Sequence, residues 1–311
     1  MQDVHQVQPL IGFGLGRLHH VLSRRQRERI VRGAVDAGLT HLDLAPAYGD
    51  GLCEAETGRV LQGRRTQVSL ATKFGIPAGA LGGRNTTFYF ASKFLRRTFS
   101  PSYGGEYGLR DFSAETAIRS VEQSLRRLQT DHLDCLFFHE PRGLADLPAV
   151  LETVEAMERL KRDGKVLRFG VSASTDYFLA CGGGSMVGDM VQFEVADTSP
   201  ALVDKVAKGK RTSAFGLLRF LIGHGEGPPR GGRLDYRRVL EWFFGRYPAT
   251  MPILASNRPE EIARLGRAVR DLPAGLAIGS GCPHQAPTIP FRARRLPSQR
   301  NGPDAPLAQS R

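Results

Sequence analysis

The chain has 311 residues, 41% hydrophobic and 24% charged, a balance typical of a globular protein. No apolar run approaches the roughly 18 residues that cross a bilayer, and the opening MQDVHQVQPLIGFGLG lacks the basic stretch and long apolar core of a secretory signal, so a cytoplasmic home and no membrane partner are expected. The net charge is +12, but four of those excess charges fall from Pro283 onward, where five arginines face one acid among six of the 19 prolines, so a long polyanion such as nucleic acid is not an expected partner.

Taken in chain order, the first strand candidate is IGFGLG, residues 11–16. Its glycines are spaced G-x-G-x-G, without the third glycine of a dinucleotide fingerprint and without an acid ending a second strand in the usual relation. They read instead as a strand passing close beneath a ligand or a packed side chain. An amphipathic stretch at 24–37 leads to HLDLAP (41–46), a helix at 53–62 and VSLATKFG (68–75). A long connection from Ile76 to Phe112 then carries TTFYFASKFLRRTF, which fits equally a lid over a pocket, with Phe88, Tyr89, Phe90 and Phe94, or a helix packing its own apolar face. A helix at 114–129, HLDCLFFHEP (132–141), a helix at 147–162, VLRFGVSAS (166–174), a short helix near 175–181, MVQFEV (190–195) and a helix at 200–207 follow. SAFGLL (213–218), a second long connection RFLIGHGEGPPRGGR, a helix at 235–246, MPILAS (251–256) and a helix at 259–271 complete the pattern.

Strand followed by helix, eight times over, means parallel strands with crossovers. The expected fold is α/β, a closed (β/α)8 TIM barrel forming a single domain over residues 8–275, with long loops after strands three and seven and a disordered basic, proline-rich tail over 276–311. Cys53, Cys135, Cys181 and Cys282 are far apart with no C-x-x-C pair, and the neighbouring His19 and His20 have no further ligands at hand, so no metal site is expected.

Polar residues at strand ends carry the functional signal. Asp43 lies in strand two, Tyr48 in the loop behind it, Lys73 near the end of strand three and His139 at the end of strand four. Adjacent strands are about 4.8 Å apart, so Asp43 and Lys73 are placed to pair, with Tyr48 reaching over them and His139 leaning in. A lysine at a strand end needs such a carboxylate, because an unpaired buried charge is costly. A phenol with an ordinary pKa of about 10 is a poor acid near neutrality, and a neighbouring ammonium favours its phenolate. The set suits proton transfer to a carbonyl oxygen, with a hydride from a nicotinamide providing the electrons.

At these residues the chain resembles the aldo-keto reductases, over roughly Ile11 to Asp271: LDLAPAYGDGLCEAETGRVL, LATKFG, DHLDCLFFHEP and DGKVLRFGVSAS match that family's second-, third-, fourth- and fifth-strand segments. The resemblance implies Asp43, Tyr48, Lys73 and His139 as the catalytic four, with Tyr48 the acid. It implies that Ser172 and Gln192 hold the nicotinamide carboxamide, that Leu218 and Arg219 border the pyrophosphate, and that ILASNRPEEIARL grips the adenosine phosphate. In that last segment Ser256 matches, Ala255 and Glu261 stand where the family has lysine and arginine, and Asn257, Arg258 and Arg264 complete the set. The implied activity is NADP(H)-dependent reduction of an aldehyde or ketone, NAD being the other cofactor these residues allow; a nicotinamide-binding redox sensor or regulatory barrel is the alternative.

Overall fold

The structure, a computed structural model, describes residues 11–76, 78, 85–99, 110–141, 147–181, 187–205, 207, 209–225 and 233–272; at 93–99 and 147–150 it describes the backbone alone. The tail from residue 276 and the glycine-rich stretches at 101–108 and 226–232 lie outside the described residues. Eight parallel strands close into a barrel: β1 (Gly12–Gly14), β2 (His41–Asp43), β3 (Ser69–Phe74), β4 (Leu133–His139), β5 (Val166–Ala173), β6 (Met190–Glu194), β7 (Arg211–Phe215) and β8 (Thr250–Leu254), with β8 pairing back onto β1. Around them run α1 (Arg24–Asp36), α2 (Leu52–Val60), α3 (Thr86–Phe99), α4 (Ala114–Leu128), α5 (Leu147–Arg162), α6 (Thr175–Cys181), α7 (Ser199–Lys205), α8 (Leu217–Gly223), α9 (Tyr236–Arg246) and α10 (Pro259–Arg270). This is the expected TIM barrel. Among the described residues no helix is long and apolar enough to cross a membrane.

Local chemistry starts the helices where the sequence changes period. Ser23, Ser113 and Asp235 cap α1, α4 and α9 by accepting from the backbone N–H groups of Gln26, Thr116 and Arg238. Pro259 opens α10, with Glu260 and Glu261 in its first turn. In α4, the buried residues Ala117, Val121, Ser124, Leu125 and Leu128 recur at helical spacing.

Strand alternation sorts side chains into two cores. Leu70, Leu136, Phe138, Val191 and Phe193 join the large cluster between sheet and helices, while Ala71, Cys135, Phe137 and Met190 form a separate small cluster in the bore. Two residues further along their strands, on that same inner side, come Lys73, His139 and Gln192. The buried thiols of Cys53 and Cys135 are pushed up to about 12 by desolvation, so they act as small apolar fillers.

One open choice narrows and one expectation needs correction. Within the long connection after β3, the aromatic segment takes the helical option as the four-turn α3: Tyr89 is buried, and the Arg27 guanidinium lies 5.4 Å from the Phe90 ring centre, while Phe88 is exposed. The Phe94 side chain lies outside the described residues. Strand seven covers Arg211–Phe215 and stops there, not at Leu218, because Gly216 adopts φ +78° and turns the chain into α8. Leu217 and Leu218 are apolar in strand fashion, but only glycine takes that left-handed turn without cost.

Candidate active site

The carboxyl ends of β2 to β6 bring the candidate residues onto one inner layer. Lys73 Nζ donates to Asp43 Oδ1 at 2.7 Å, to Asp43 Oδ2 at 2.8 Å and to the Leu44 carbonyl at 2.9 Å. Both side chains are buried, Lys73 at 2% exposure and Asp43 at 6%. All three ammonium protons are thus satisfied, which is what allows the charge to sit in the interior.

Tyr48 stands over this pair. The ammonium of Lys73 lies 5.4 Å from the Tyr48 ring centre, and the His139 ring meets that of Tyr48 edge-on, 5.9 Å between centres and 87° between planes. The Tyr48 turn has a backbone reason for its sequence: Gly49, Asp50 and Gly51 all take positive φ, at +68°, +52° and +83°, so Y-G-D-G is required rather than incidental. Gly16 lies beneath the ring. A Cβ there would sit 3.2 Å from Tyr48 Cε2 and 3.3 Å from Cζ, the carbon that bears the hydroxyl. The third glycine of G-x-G-x-G therefore makes room for a packed side chain.

His139 is held well below the ordinary imidazole range, first by burial, then by the Lys73 ammonium and the Arg110 guanidinium. A neutral imidazole beside the phenol can donate one hydrogen bond without adding charge.

Ser172 and Gln192 continue the layer. His139 pairs in register with Ser172, Ser172 with Gln192, and Gln192 with Ser213. The Ser172 hydroxyl donates to Gln192 Oε1 at 2.6 Å, and Gln192 Nε2 donates across the bore to Asp43 Oδ1 at 2.9 Å. Ser213 Oγ is buried with no hydrogen-bond partner among the described residues. Phe215, half-buried, ends β7 on the same pleat.

The nucleotide-end candidates are arranged differently. Leu218 packs against the main core, and the exposed Arg219 of α8 pairs with Glu194. Ser256 Oγ accepts from the Arg258 backbone N–H at 3.1 Å, and Asn257 Nδ2 donates to the Arg17 carbonyl at 2.9 Å, tying the β8 loop to the β1 loop. Arg258 is exposed. Arg264 turns away, pairing with Glu261 at 2.7 Å and donating to the Leu234 carbonyl. The first four candidates converge with Ser172 and Gln192; Arg264 does not join Ser256 and Arg258.

Sequence reasoning passed over Glu54. It is fully buried at the start of α2, where it accepts from Thr72 at 2.7 Å, Ser124 at 2.8 Å and Arg127 Nε at 2.6 Å. It therefore bolts the helix behind the Tyr48 turn to the strand position next to Lys73. The signal was available in LCEAETGRVL, where two carboxylates fall among apolar helix positions and so require buried partners. Among the described residues no group of three or more His, Cys, Asp or Glu is placed to hold a metal; His19 and His20 stack on one another, 4.0 Å between rings.

The model of the Aldo/keto reductase family matches residues 10–177, more than half of the chain. The aldo-keto reductase YhdN of Bacillus subtilis is 34% identical over 144 residues, 46% of this chain and 35% of that protein. Methylglyoxal reductase YeaE of Escherichia coli is 32% identical over 170 residues, 54% of this chain and 46% of that one. The chain thus spans about half or less of the length of these two curated relatives. Among solved structures, an aldo-keto reductase from Klebsiella pneumoniae in complex with NADPH superposes with a TM-score of 0.55 at 24% identity, covering 86% of this chain and 87% of that one, a likeness of fold.

Proposed function

The chain belongs to the aldo/keto reductase family, and on that premise we propose that it reduces an aldehyde or ketone to an alcohol with NADPH. Tyr48 delivers the proton, Lys73 and Asp43 set its acidity, and His139 holds the carbonyl oxygen in line. The observation that carries this reading is the buried Asp43–Lys73 pair directly beneath the Tyr48 ring, with His139 at right angles to it. Lys73 is anchored by three acceptors, so its charge stays fixed under the phenol and favours proton release toward the carbonyl oxygen. His139, kept neutral, donates to that oxygen as negative charge develops on it.

A bound nicotinamide supplies the hydride. Its carboxamide fits the strand ends of β5 to β7: Gln192 Nε2 has a second proton beyond the one given to Asp43, and the buried Ser213 hydroxyl is unpartnered among the described residues. At the other end, Arg258 and the Ser256 hydroxyl are the groups that would meet an adenosine phosphate. The preference for NADP over NAD rests on Arg258, since Arg264 is committed to Glu261 and Leu234.

The alternative, a nicotinamide-binding redox sensor with little turnover, draws on that self-satisfied phosphate end. Titration with NADPH and NADH, followed by Trp242 quenching and the cofactor's own fluorescence, and then assay of a carbonyl panel beginning with methylglyoxal, separates the two readings. Turnover of one carbonyl supports the reductase; tight binding with no turnover of any member supports the sensor. Tyr48→Phe is expected to abolish reduction while NADPH affinity stays within about twofold. A Tyr48→Phe protein as active as the parent removes Tyr48 from the mechanism.

A further inference from the structure

The bond that joins β6 to β2 lies outside the roles assigned so far. Gln192 is 1% exposed, and its amide orientation is set by Asp43: an acceptor-only carboxylate must face Nε2, and the Ser172 hydroxyl then donates to Oε1 as the amide's second anchor. Among the described residues, Asp43 Oδ1 therefore receives two donors, Lys73 and Gln192, while Oδ2 receives one, Lys73. A carboxylate that shares its charge with a neutral amide neutralises the ammonium beside it less completely. We infer that Gln192, anchored between Ser172 and Asp43, is a positioning residue for the proton-transfer apparatus: by drawing on Asp43 it leaves more of the Lys73 field for Tyr48, and so links the strand ends that face the nicotinamide to the acidity of the phenol.

This deepens the reductase reading and rests on it, but its physical content exists without cofactor. Among the described residues, the titratable and charged groups around Tyr48 are Lys73 and Asp43 below it, His139 beside it with Arg110 and Glu140 beyond, His19 against Gly49 with its neighbour His20, Asp50 in the turn, and Glu54 with Arg127 behind α2. Of the side chains in this set, Asp43 is the one to which Gln192 donates, so a change at Gln192 reaches Tyr48 by way of Asp43 and Lys73.

The test uses the cofactor-free protein. Tyrosinate absorbance is titrated in the parent and in Gln192→Met, which keeps length and removes the donor, and in Gln192→Glu, which sets a second carboxylate beside Asp43. Subtracting the Tyr48→Phe counterpart of each isolates Tyr48. The expected result is a midpoint raised by about half a pH unit in Gln192→Met and by about one unit or more in Gln192→Glu, with the alkaline limb of carbonyl reduction moving the same way. Ser172→Ala, which removes the amide's second anchor and so loosens its bond to Asp43, is expected to shift the midpoint in the same direction by less, and it decides the matter should the Gln192 variants not fold. A Gln192 that only grips cofactor would weaken NADPH binding and leave the ligand-free midpoint unmoved; that result overturns the inference. Failure of the parent to reduce any carbonyl would sink the reductase reading and leave the titration to judge this one.

Discussion

The two ends of the candidate site are built on opposite plans. At the proposed proton-transfer end, over β2 to β6, every named side chain except Tyr48 is almost wholly buried, and four of them form a chain of polar contacts within the set: Ser172 to Gln192, Gln192 to Asp43, Asp43 to Lys73. At the nucleotide end, over β7 and β8, the candidates lie exposed or half-buried and spend their polar groups on backbone and neighbouring acids, as Arg264 does on Glu261 and Leu234 and Arg219 does on Glu194. A buried network must be complete before any ligand arrives, because an orphaned charge in the bore costs more than the fold can spare. An exposed nucleotide clamp has no such constraint and is free to drift in sequence. On the proposed reading, the proton-transfer groups are set by folding and the cofactor preference by surface residues.

The severest way to break that contrast is Lys73→Met. It leaves the Asp43 carboxylate buried with Gln192 as its remaining side-chain donor, and loss of one partner of such a pair costs about 3–5 kcal/mol. A drop of that size in urea-denaturation stability is expected together with loss of carbonyl reduction. Arg258→Ala, an exposed cation on the other end, is expected to leave stability within about 0.5 kcal/mol. Equal stability losses in the two variants would erase the distinction.

Gly16→Val sharpens the comparison without touching a charge. The added Cβ meets Tyr48 Cε2 and Cζ at 3.2 and 3.3 Å, and the extra methyls force the ring to move. Misplacing a catalytic group by about 1 Å costs on the order of 100-fold in rate. A kcat loss between tenfold and 100-fold is expected, with NADPH affinity retained; Gly16→Ala, which demands only a few tenths of an ångström, should lose less. An unchanged kcat in Gly16→Val would show that the Tyr48 ring is not held from below.

Much of this was legible in the sequence, and the failures have physical causes. The alternation of strands and helices gave the barrel, and polar residues at the ends of β2, β3 and β4 marked a cluster that the structure brings together on one inner layer, because a lysine in an apolar strand has few explanations. The end of β7 was misplaced because Leu217 and Leu218 continue the apolar run past a glycine whose positive φ periodicity does not report. The Gln192–Asp43 bond joins residues 149 apart, across the barrel, and strand pattern carries no information about contacts through the bore. Arg264 was legible as a cation near a helix start but not as one already engaged by Glu261 three residues before it, although that i,i+3 pair was in plain view.

At the nucleotide end the expected effects are smaller. If Arg258 meets the adenosine phosphate, Arg258→Ala should weaken NADPH about tenfold, the weight of one exposed charge-assisted contact, and leave NADH unchanged. Arg264→Ala should weaken both cofactors alike or neither, since its contacts are internal. The opposite pattern, with NADPH selectivity lost only in Arg264→Ala, would mean that the Glu261 pair opens when cofactor binds.

The smallest effect belongs to His139 and concerns stability. Burial, Lys73 and Arg110 hold its folded-state pKa well below the value of about 6.5 that the unfolded chain has. Between those two values the unfolded state binds the proton and the folded state does not, so stability falls as pH drops below about 6.5 and is unaffected above it. The slope from one such group is at most about 1.4 kcal/mol per pH unit. His41, also buried and lowered by desolvation, adds in the same direction, so the parent alone cannot apportion the effect. His139→Gln removes one of the two. Relative to its own stability at pH 7.5, the variant is expected to lose less than the parent between pH 6 and pH 5, and denaturation curves at those pH values measure the difference. Identical acid sensitivity would mean that His139 takes up its proton in the folded state, which would remove the neutral imidazole on which its role toward the carbonyl depends.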